Sequence, residues 1–598
     1  MTESKGNIPE ALLAVELERL SSSTAFRRSP RQVRLLRYLL AEMRAGRASR
    51  LKESVIAVEV FDRRASTFDG RADTTVRVEM GRLRRRLARY YAEEGAWAAL
   101  QIELPVGSYV PVLRARQVNG AAKLPSIAVL PFSDLGEDAT QTPFADGLTD
   151  EITDALAQMP GVKVVARTSA GKYRGVMEDV RAIGNALGVA TLLEGSVQGR
   201  GEQLRVVAQW VRTSDGYHAW SRAMESMAGE TPQEFKERVA RDIVSGLQRR
   251  LLDNGGGEGI PLAMPFLRRA ANLEAQDAYD RARYLLRLDS VDGYTRAVPL
   301  LRRALEFDPQ FASAHCALAR ALVSQIGVTA VPALATLREA RVAVDRALDL
   351  DPELGEAHTV QGFIAFAFDH DWPSAERAHL RGIRFAPSLP YSHAAYAWAL
   401  MFNRRFAEAD AEYRFARELD PLDLKIRAHH ALNFLYAGQD DQAVAELDAI
   451  LEVEPNQVIA RALRAAALLW RGDASAAAVE YRQLLESYPD LTIGAIGLAQ
   501  AEAMSGNARA ARRRLIQLQH KAHANLPPYQ VAMIHARLDN VDGALEWLDR
   551  AARECDMNFV CAPLDRTFAS LHGDSRFAEL MARHGLGAIR ASGAASAS

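Results

Sequence analysis

The sequence predicts a multidomain α+β chain in three parts: a small basic domain of helices and a β-hairpin, a central mixed α/β domain, and a C-terminal all-α array of repeats. Three observations predict this division. Positive charge is concentrated before residue 117. Strand and helix patterns alternate between residues 125 and 250. After residue 270, a motif that ends in proline recurs with a period near 34 residues.

The charge distribution separates the N-terminal part from the rest of the chain. With 598 residues, the chain is too long for a single hydrophobic core. Residues 1–116 contain 22 Lys and Arg against 14 Asp and Glu, whereas the remainder contains 52 against 61. This asymmetry predicts a polyanionic partner for the first domain, with a solvated basic surface as the alternative that charge alone leaves open.

The first domain, residues 1–116, reads as three helices followed by a hairpin. The first helix begins near Pro30, which suits a first turn, and the second covers the stretch LKESVIAVEVFD. The third begins at Asp73 or Thr74 as N-cap and ends at Gly95. Two apolar runs around Gly107, in LQIELPVGSYVPVL, predict the hairpin.

The third helix has two distinct faces when its residues are placed at ~100° intervals. One narrow stripe is apolar and consists of Val76, Met80, Leu83, Leu87 and Tyr90. The opposite side carries Thr74, Thr75, Arg82, Arg85 and Arg89, with Arg77, Arg84 and Arg86 on the flanks. The guanidinium fork can donate two hydrogen bonds to guanine or to a phosphate, so this pattern predicts a DNA-binding face. A salt-bridged surface helix is the alternative, because Glu79 lies three residues before Arg82.

The strings VRVEMGRLRRRL (76–87) and PVGSY (105–109) resemble the winged-helix DNA-binding domain of OmpR/PhoB-type bacterial response regulators. The resemblance implies that Thr74, Thr75, Arg82 and Arg85 face the major groove of double-stranded DNA and that the wing contacts flanking backbone or minor groove. Arg77 and Glu79 depart from that family's pattern, so the bases that are read are not implied. The full predicted DNA-binding set is Thr74, Thr75, Arg77, Arg82, Arg85, Arg86, Arg89, Gly107, Ser108 and Tyr109.

A linker at 117–124 leads to the central domain, residues 125–250. Strand and helix patterns alternate there and end in a hairpin around 199–201, which predicts a mixed sheet. The strings IAVLPF, FADGLTDEI, VVART and LLEGSV resemble the TolB-N-like (FlgO-like) domain, a likeness that implies no catalytic residue. Four carboxylates on its first helix favour a solvated acidic face over a metal site: Asp146, Asp150, Glu151 and Asp154.

After a linker at 251–265, residues 266–590 form the predicted array, followed by a flexible tail at 591–598. Six helices end before prolines: Pro309, Pro352, Pro387, Pro421, Pro455 and Pro489. The spacing resembles the tetratricopeptide repeat, and the combination with the preceding domains resembles TolB-like/TPR regulatory proteins. Stacked helix pairs predict a solenoid whose concave groove binds a protein or peptide, with a purely structural spacer as the alternative.

Several classes of function are disfavoured by what the sequence contains. The spacing of Cys316, Cys555 and Cys561 matches neither a disulfide framework nor a zinc site. No nucleophile–base set or metal cluster stands out, so neither an enzyme nor a cofactor or metal site is predicted. The N-terminus lacks a signal-peptide pattern, and the apolar stretch 321–337 is interrupted by Pro332, which favours a buried helix pair over a membrane span. A cytoplasmic protein without a membrane partner is expected, of undetermined oligomeric state.

These observations predict a one-component, DNA-binding transcriptional regulator that lacks a receiver domain and carries a protein-interaction array. The alternative is a protein-interaction scaffold, or an accessory of a signalling complex, in which the winged helix contacts protein rather than DNA.

Overall fold

The computed structural model describes residues 29–587 and the isolated positions 17, 20, 23, 25 and 26. The segments outside the described residues are 45–46, 62, 64–72, 93–99, 116–124, 137–140, 160, 177, 201–202, 254–271, 289, 329–330 and 522–525. The predicted linkers and tail therefore lie largely outside them. The chain forms two compact units, residues 1–124 with 251–260, and residues 125–250 with 261–598.

The first unit contains the helices and hairpin that the sequence predicts. Its elements are α1 (Pro30–Arg44), α2 (Glu53–Phe61), α3 (Thr75–Ala92), β1 (Leu100–Glu103) and β2 (Val112–Ala115). The backbone N–H of Thr75 donates to Asp73 Oδ1 at 2.9 Å, so Asp73 caps the start of α3 as expected. The two strands pair antiparallel from Leu100↔Ala115 to Glu103↔Val112. One hydrophobic core joins all three helices to the hairpin.

The second unit begins with a mixed α/β domain. Its strands are β3 (Ser126–Val129), β4 (Ser133–Asp134), β5 (Lys163–Val165), β6 (Thr191–Arg200), β7 (Gln203–Arg212) and β8 (His218–Glu225). Its helices are α4 (Thr142–Ala157), α5 (Arg167–Ala170), α6 (Val180–Leu187) and α7 (Pro232–Asp253). The strand order is β5-β3-β6-β7-β8, and β4 also pairs with β6. β5, β3 and β6 are parallel, whereas β6, β7 and β8 form an antiparallel meander.

Two details of this domain were not part of the sequence prediction. The short helix α5 leads into a 3₁₀ turn at Gly171–Tyr173. The third strand of the meander, β8, was not predicted, because its sequence HAWSRAME does not alternate. The Trp220 ring of β8 packs against that of Trp210 on β7, with centroids 4.9 Å apart, which fixes the strand on the sheet.

The array follows, and in the described part of the chain it contains eight consecutive helix pairs. They are α8/α9 (Leu273–Arg287, Val291–Phe307), α10/α11 (Ala312–Val328, Ala333–Leu350), α12/α13 (Gly355–Ala367, Trp372–Phe385), α14/α15 (Pro390–Phe402, Phe406–Leu419), α16/α17 (Leu424–Tyr436, Asp440–Val453), α18/α19 (Val458–Trp470, Ala474–Ser487), α20/α21 (Thr492–Met504, Ala508–Lys521) and α22/α23 (Pro528–Arg537, Val541–Arg553). The predicted proline positions are confirmed, since each of the six helices ends two residues before its proline. The turns at Gly438, Gly472 and Gly506 have positive φ, the conformation that glycine tolerates best.

After α23 the chain returns to the earlier repeats. Two 3₁₀ turns, Met557–Cys561 and Arg566–Leu571, precede α24 (Ser575–Arg583). Phe559 and Phe568 are fully buried in the same hydrophobic core as Phe402, which lies on α14. The segment 555–587 is therefore part of the core of the array. The C-terminal end of the array packs onto its earlier repeats.

Polar contacts with α17 and α18 hold this segment in place. Both terminal nitrogens of Arg566 donate to the carboxylate of Asp440, at 2.8 and 2.9 Å, and the guanidinium lies 5.1 Å from the Trp470 ring. Trp470 Nε1 also donates to Thr567 Oγ1 at 3.5 Å. A bidentate pair with a stacked aromatic ring is a specific arrangement, so the segment has one register on the array.

The acidic face of α4 is only partly exposed and forms ion pairs, whereas the sequence interpretation favoured a solvated face. Asp154 forms an ion pair with Arg283 at 2.6 Å, and Asp150 forms one with Arg287 at 2.8 Å, both arginines lying on α8. Asp150 also pairs with Arg167 within the α/β domain. The contact between Asp150 and Arg287 joins partners 137 residues apart in the sequence. The acidic face therefore serves to dock the α/β domain onto the first repeat.

A second docking contact places a buried carboxyl between the α/β domain and the α15–α16 turn. Asp420 accepts hydrogen bonds from the hydroxyls of Thr168 and Ser169, and Ser169 Oγ accepts from Leu422 N at 2.9 Å. Asp420 is 4% exposed, and burial raises its pKa to about 6 despite the two hydroxyl donors. Nearby, Ser388 Oγ donates to the carbonyl of Val162 at 2.9 Å.

The Asp420 carboxyl makes stability pH-dependent. Because its folded-state pKa is raised, protonation favours the folded state, and this contribution is complete below pH ~4 and lost as pH rises through about 6. Asp420→Asn should therefore gain stability relative to the parent chain as pH rises from 4.5 to 7, reaching about 2–3 kcal/mol. Urea unfolding of both chains across this range measures the difference. Asp349→Asn, at an exposed position, is the control, and an equal pH trend in parent and Asp420→Asn would contradict the assignment.

Candidate nucleic-acid interface and protein-binding surfaces

The interior face of α3 is the predicted apolar stripe. Its five members are at most 3% exposed: Val76, Met80, Leu83, Leu87 and Tyr90. They pack against Leu36 and Leu40 of α1 and Ile56 of α2 in the core of the first unit. Because these side chains hold α3 at one rotation about its axis, the side of the helix opposite the stripe faces solvent.

The outward face of α3 carries exposed threonine and arginine side chains. Thr74, Arg82, Arg85 and Arg89 are all exposed. Val78, one turn before Arg82, is 45% exposed, so the face also carries an apolar position that the sequence reading did not select. Arg82 Nη1 donates to Glu79 Oε1 at 2.7 Å, and Glu79 also accepts from Gln32 Nε2 of α1 at 3.3 Å. The ion pair that the sequence left open as an alternative is therefore present at Arg82.

Two other predicted positions are engaged within the domain. Arg77 Nε donates to Glu53 Oε1 at 2.8 Å, and this hydrogen bond raises the pKa of Arg77. Arg86 donates to the carbonyl of Ala25 and is only partly exposed. Arg86 is thus placed to support the fold, while Arg77 lies on the exposed edge next to α2.

The flanking Arg84 has a role that its position in the sequence did not reveal. Its guanidinium donates to three carbonyls of the hairpin loop, those of Leu104 at 2.8 Å, Pro105 at 3.0 Å and Ser108 at 2.9 Å. A planar fork suits three acceptors in one loop. Arg84 therefore fixes the hairpin loop against α3.

The three predicted hairpin positions differ in their surroundings. Gly107 adopts φ +84° at the tip, beside Val106, which is 92% exposed. Ser108 Oγ accepts from Val110 N at 3.1 Å, within the loop. Tyr109 packs against the core of the domain, and burial raises its pKa. The tip of the loop is thus the part that is open to a partner.

Threonines at the start of α3 are also divided between two roles. Thr75 Oγ1 accepts from Arg63 Nη2 at 3.2 Å, and Arg63 pairs with Asp73 at 3.0 Å, so this side chain belongs to the helix cap. Thr74 remains exposed. The predicted residues that share one open surface are therefore Thr74, Arg82, Arg85 and Arg89, which extend from the start of α3 to its last turn.

The groove of the array is the second candidate surface, and in the structure part of it is occupied by the chain itself. The inner side of α12, α14, α16 and α18 holds the segment 555–587. A protein or peptide partner must therefore use another face of the array or displace this segment. Ion pairs such as Arg302–Glu339 and Arg341–Asp369 connect successive repeats on the outside.

Within the described ranges, no group of three or more His, Cys, Asp or Glu side chains is placed to hold a metal ion. Nor does any helix of the described part combine the length and the apolar character that crossing a bilayer requires.

No protein-family model matches the chain. Putative adenylate cyclase 3 of Rhizobium meliloti (strain 1021) is 33% identical over 242 residues, which cover 38% of this chain and 39% of that protein. The chain thus spans well under half the length of this relative.

Solved structures similar to the chain include helical-repeat proteins. TTC0263, a thermophilic TPR protein of Thermus thermophilus, is 21% identical with a TM-score of 0.28 and covers 33% of this chain and 99% of that one. Pseudomonas aeruginosa pilF is 16% identical with a TM-score of 0.28, covering 35% and 91%. The human IFIT1 dimer with m7Gppp-AAAA is 14% identical with a TM-score of 0.33, covering 54% and 79%. All three TM-scores are below 0.5, so these likenesses carry no argument about function.

Proposed function

We propose that this chain is a DNA-binding regulator, in which the first unit is a winged helix that binds double-stranded DNA through α3 and the array binds a protein partner. The observation that carries the proposal is the open face of α3 with Thr74, Arg82, Arg85 and Arg89. A helix of 18 residues with arginines on one exposed face fits the major groove, and guanidinium groups recognise guanine and phosphate.

The hairpin supports the same function. Arg84 ties the loop to α3, so the exposed tip at Val106 and Gly107 has a fixed position beside the recognition face. A fixed loop next to a recognition helix is the arrangement in which a wing contacts the flanking backbone. The net positive charge of residues 1–116 provides the long-range attraction.

The proposal predicts a steep dependence of DNA affinity on salt. Contact with about six phosphates would weaken binding by ~10³-fold between 50 and 200 mM salt, because bound counterions are released. Fluorescence anisotropy of the full chain with labelled duplexes at several salt concentrations measures the slope. An affinity that does not change with salt, or no binding to any genomic fragment, would sink the proposal.

A second candidate is a scaffold or accessory of a signalling complex, in which the same face contacts protein. Two observations favour it. Val78 and Val106 are exposed apolar side chains on this surface, and the carboxylates of Glu53 and Glu79 offset Arg77 and Arg82. The relative named as a putative adenylate cyclase agrees with a signalling role. Capture of a protein partner that Arg85→Glu abolishes, without any DNA binding by the parent chain, would select this candidate.

A further inference from the structure

A cleft opens where the α/β domain meets the first helix pairs of the array. It is lined by α4, α7 and α8 together with the start of α10, and it encloses about 420 Å³, part of which is open to solvent. Its enclosed part is narrow, so it suits a molecule of a few heavy atoms rather than a nucleotide. The lining residues are Gly147, Asp150, Glu151, Lys236, Gln276, Tyr279, Asp280, Arg283, Phe311 and Ser313.

One wall carries a buried ammonium group. Lys236 on α7 is 9% exposed, and burial lowers its pKa. Within the described part of the chain, its side chain forms no hydrogen bond or ion pair shorter than 4 Å, although an ammonium has three donors. Gly147 makes room for it, because a Cβ at that position would lie 2.9 Å from Lys236 Nζ. An ammonium group that has no hydrogen-bond acceptor in the described part of the protein can bind an acceptor that enters the cleft.

A second wall of the cleft carries acceptors. Gln276 Oε1 on α8 is buried and accepts no hydrogen bond, while its amide nitrogen donates to Asp280 Oδ1 at 2.9 Å. Asp280 is exposed at the mouth of the cleft. This wall therefore presents a carbonyl and a carboxylate, which require a donor.

Two other charged residues at the cleft take part in ion pairs, and Glu151 of α4 also lines it. Asp150 is paired with Arg167 and Arg287, and Arg283 is paired with Asp154. Lys236 on α7 shares the cleft with the acceptors of Gln276 and Asp280 on α8, and the negative charge of Asp280 acts against the burial that lowers the pKa of Lys236. An anion alone would satisfy Lys236 but would leave Gln276 Oε1 without a donor, and a cation alone would leave Lys236 without an acceptor.

We propose that this cleft binds a small zwitterion of the α-amino acid class, with its carboxylate on Lys236 and its ammonium group on Gln276 and Asp280. Such a ligand touches the α/β domain on one side and the array on the other. Its binding therefore stabilises the docked arrangement of the two, which makes the cleft a sensory site within the second unit. The inference does not depend on the DNA-binding proposal.

The test is thermal unfolding of the full chain with glycine, L-alanine, acetate or methylammonium, each at about 10 mM. Glycine or L-alanine should raise the unfolding temperature by about 2 °C or more, and acetate and methylammonium should raise it by less. An equal shift with acetate, or no shift with either amino acid, would overturn the proposal.

Variants locate the effect. Lys236→Met removes the ammonium group, and titration calorimetry should then show affinity for the more effective amino acid reduced by about tenfold or more. Gly147→Ala narrows the cleft beside Lys236 and gives a second readout if Lys236→Met does not fold. Lys172→Met, an exposed lysine of the same domain that donates to the Leu422 carbonyl, should keep the full shift. Retention of the shift in both cleft variants would also overturn the assignment.

Discussion

Replacing Arg82 and Arg85 together by alanine is expected to reduce DNA affinity by ~100-fold or more. Both side chains are exposed on the outward face of α3, and a good bidentate contact to a base contributes about 1–3 kcal/mol. Anisotropy titrations of the full chain with a selected duplex and with a scrambled duplex measure the effect. If these arginines read bases, the loss is larger for the selected duplex, whereas phosphate contacts reduce both affinities evenly.

Three further variants serve as comparisons for the double exchange of Arg82 and Arg85. Glu79→Gln should increase DNA affinity several-fold, because it removes the carboxylate that holds Arg82 at 2.7 Å. Arg86→Ala should lower the stability of the first unit instead, since Arg86 donates to the Ala25 carbonyl. Arg338→Ala removes one exposed positive charge from the array and should leave binding unchanged. DNA affinity that survives the Arg82 and Arg85 exchange would show that α3 is not the recognition element.

Phe559→Ala is expected to lower the free energy of unfolding by about 3–5 kcal/mol, the range for a large aromatic side chain removed from a packed core. Phe559 is 1% exposed, and its ring lies 5.7 Å from that of His370 and 5.5 Å from that of His584. Urea unfolding measures the loss. Hydrogen exchange should become faster both in residues 555–571 and in α12, because the two segments pack together.

Val453→Ala is the matched control, since Val453 is 70% exposed at the end of α17 and its truncation should change stability by less than about 0.5 kcal/mol. A loss at Phe559 no larger than this, with unchanged exchange in α12, would mean that the C-terminal segment is not part of the core.

Local signals in the sequence predicted most of the elements. Proline follows a helix end at six of the repeat boundaries, so the positions of Pro421 and Pro455 specify helix ends without tertiary information. The stripe from Val76 to Tyr90 likewise determines which face of α3 is buried. Of the candidate surface, the sequence correctly placed Thr74, Arg82, Arg85 and Arg89 on the exposed side.

Contacts between distant parts of the chain were not accessible in the same way. The sequence does not distinguish Arg84 from the other flanking arginines, because the three carbonyls that it contacts belong to the hairpin loop. Asp154 appears as one of several surface carboxylates, because its partner Arg283 follows far later in the chain, on α8. Arg566 and Asp440 are 126 residues apart in the sequence. No local sequence pattern therefore predicts that the C-terminal segment occupies the groove.

Because the C-terminal segment packs onto earlier repeats, the number of repeats in this protein is constrained. In an open solenoid each repeat contacts only its neighbours, so whole units can be gained or lost by duplication and deletion. Here the segment that follows α23 must reach Asp440 and Trp470, so the distance between α23 and these residues is fixed. Insertion of one further repeat between α17 and α23 would move Arg566 away from Asp440. We therefore expect the number of repeats to be conserved.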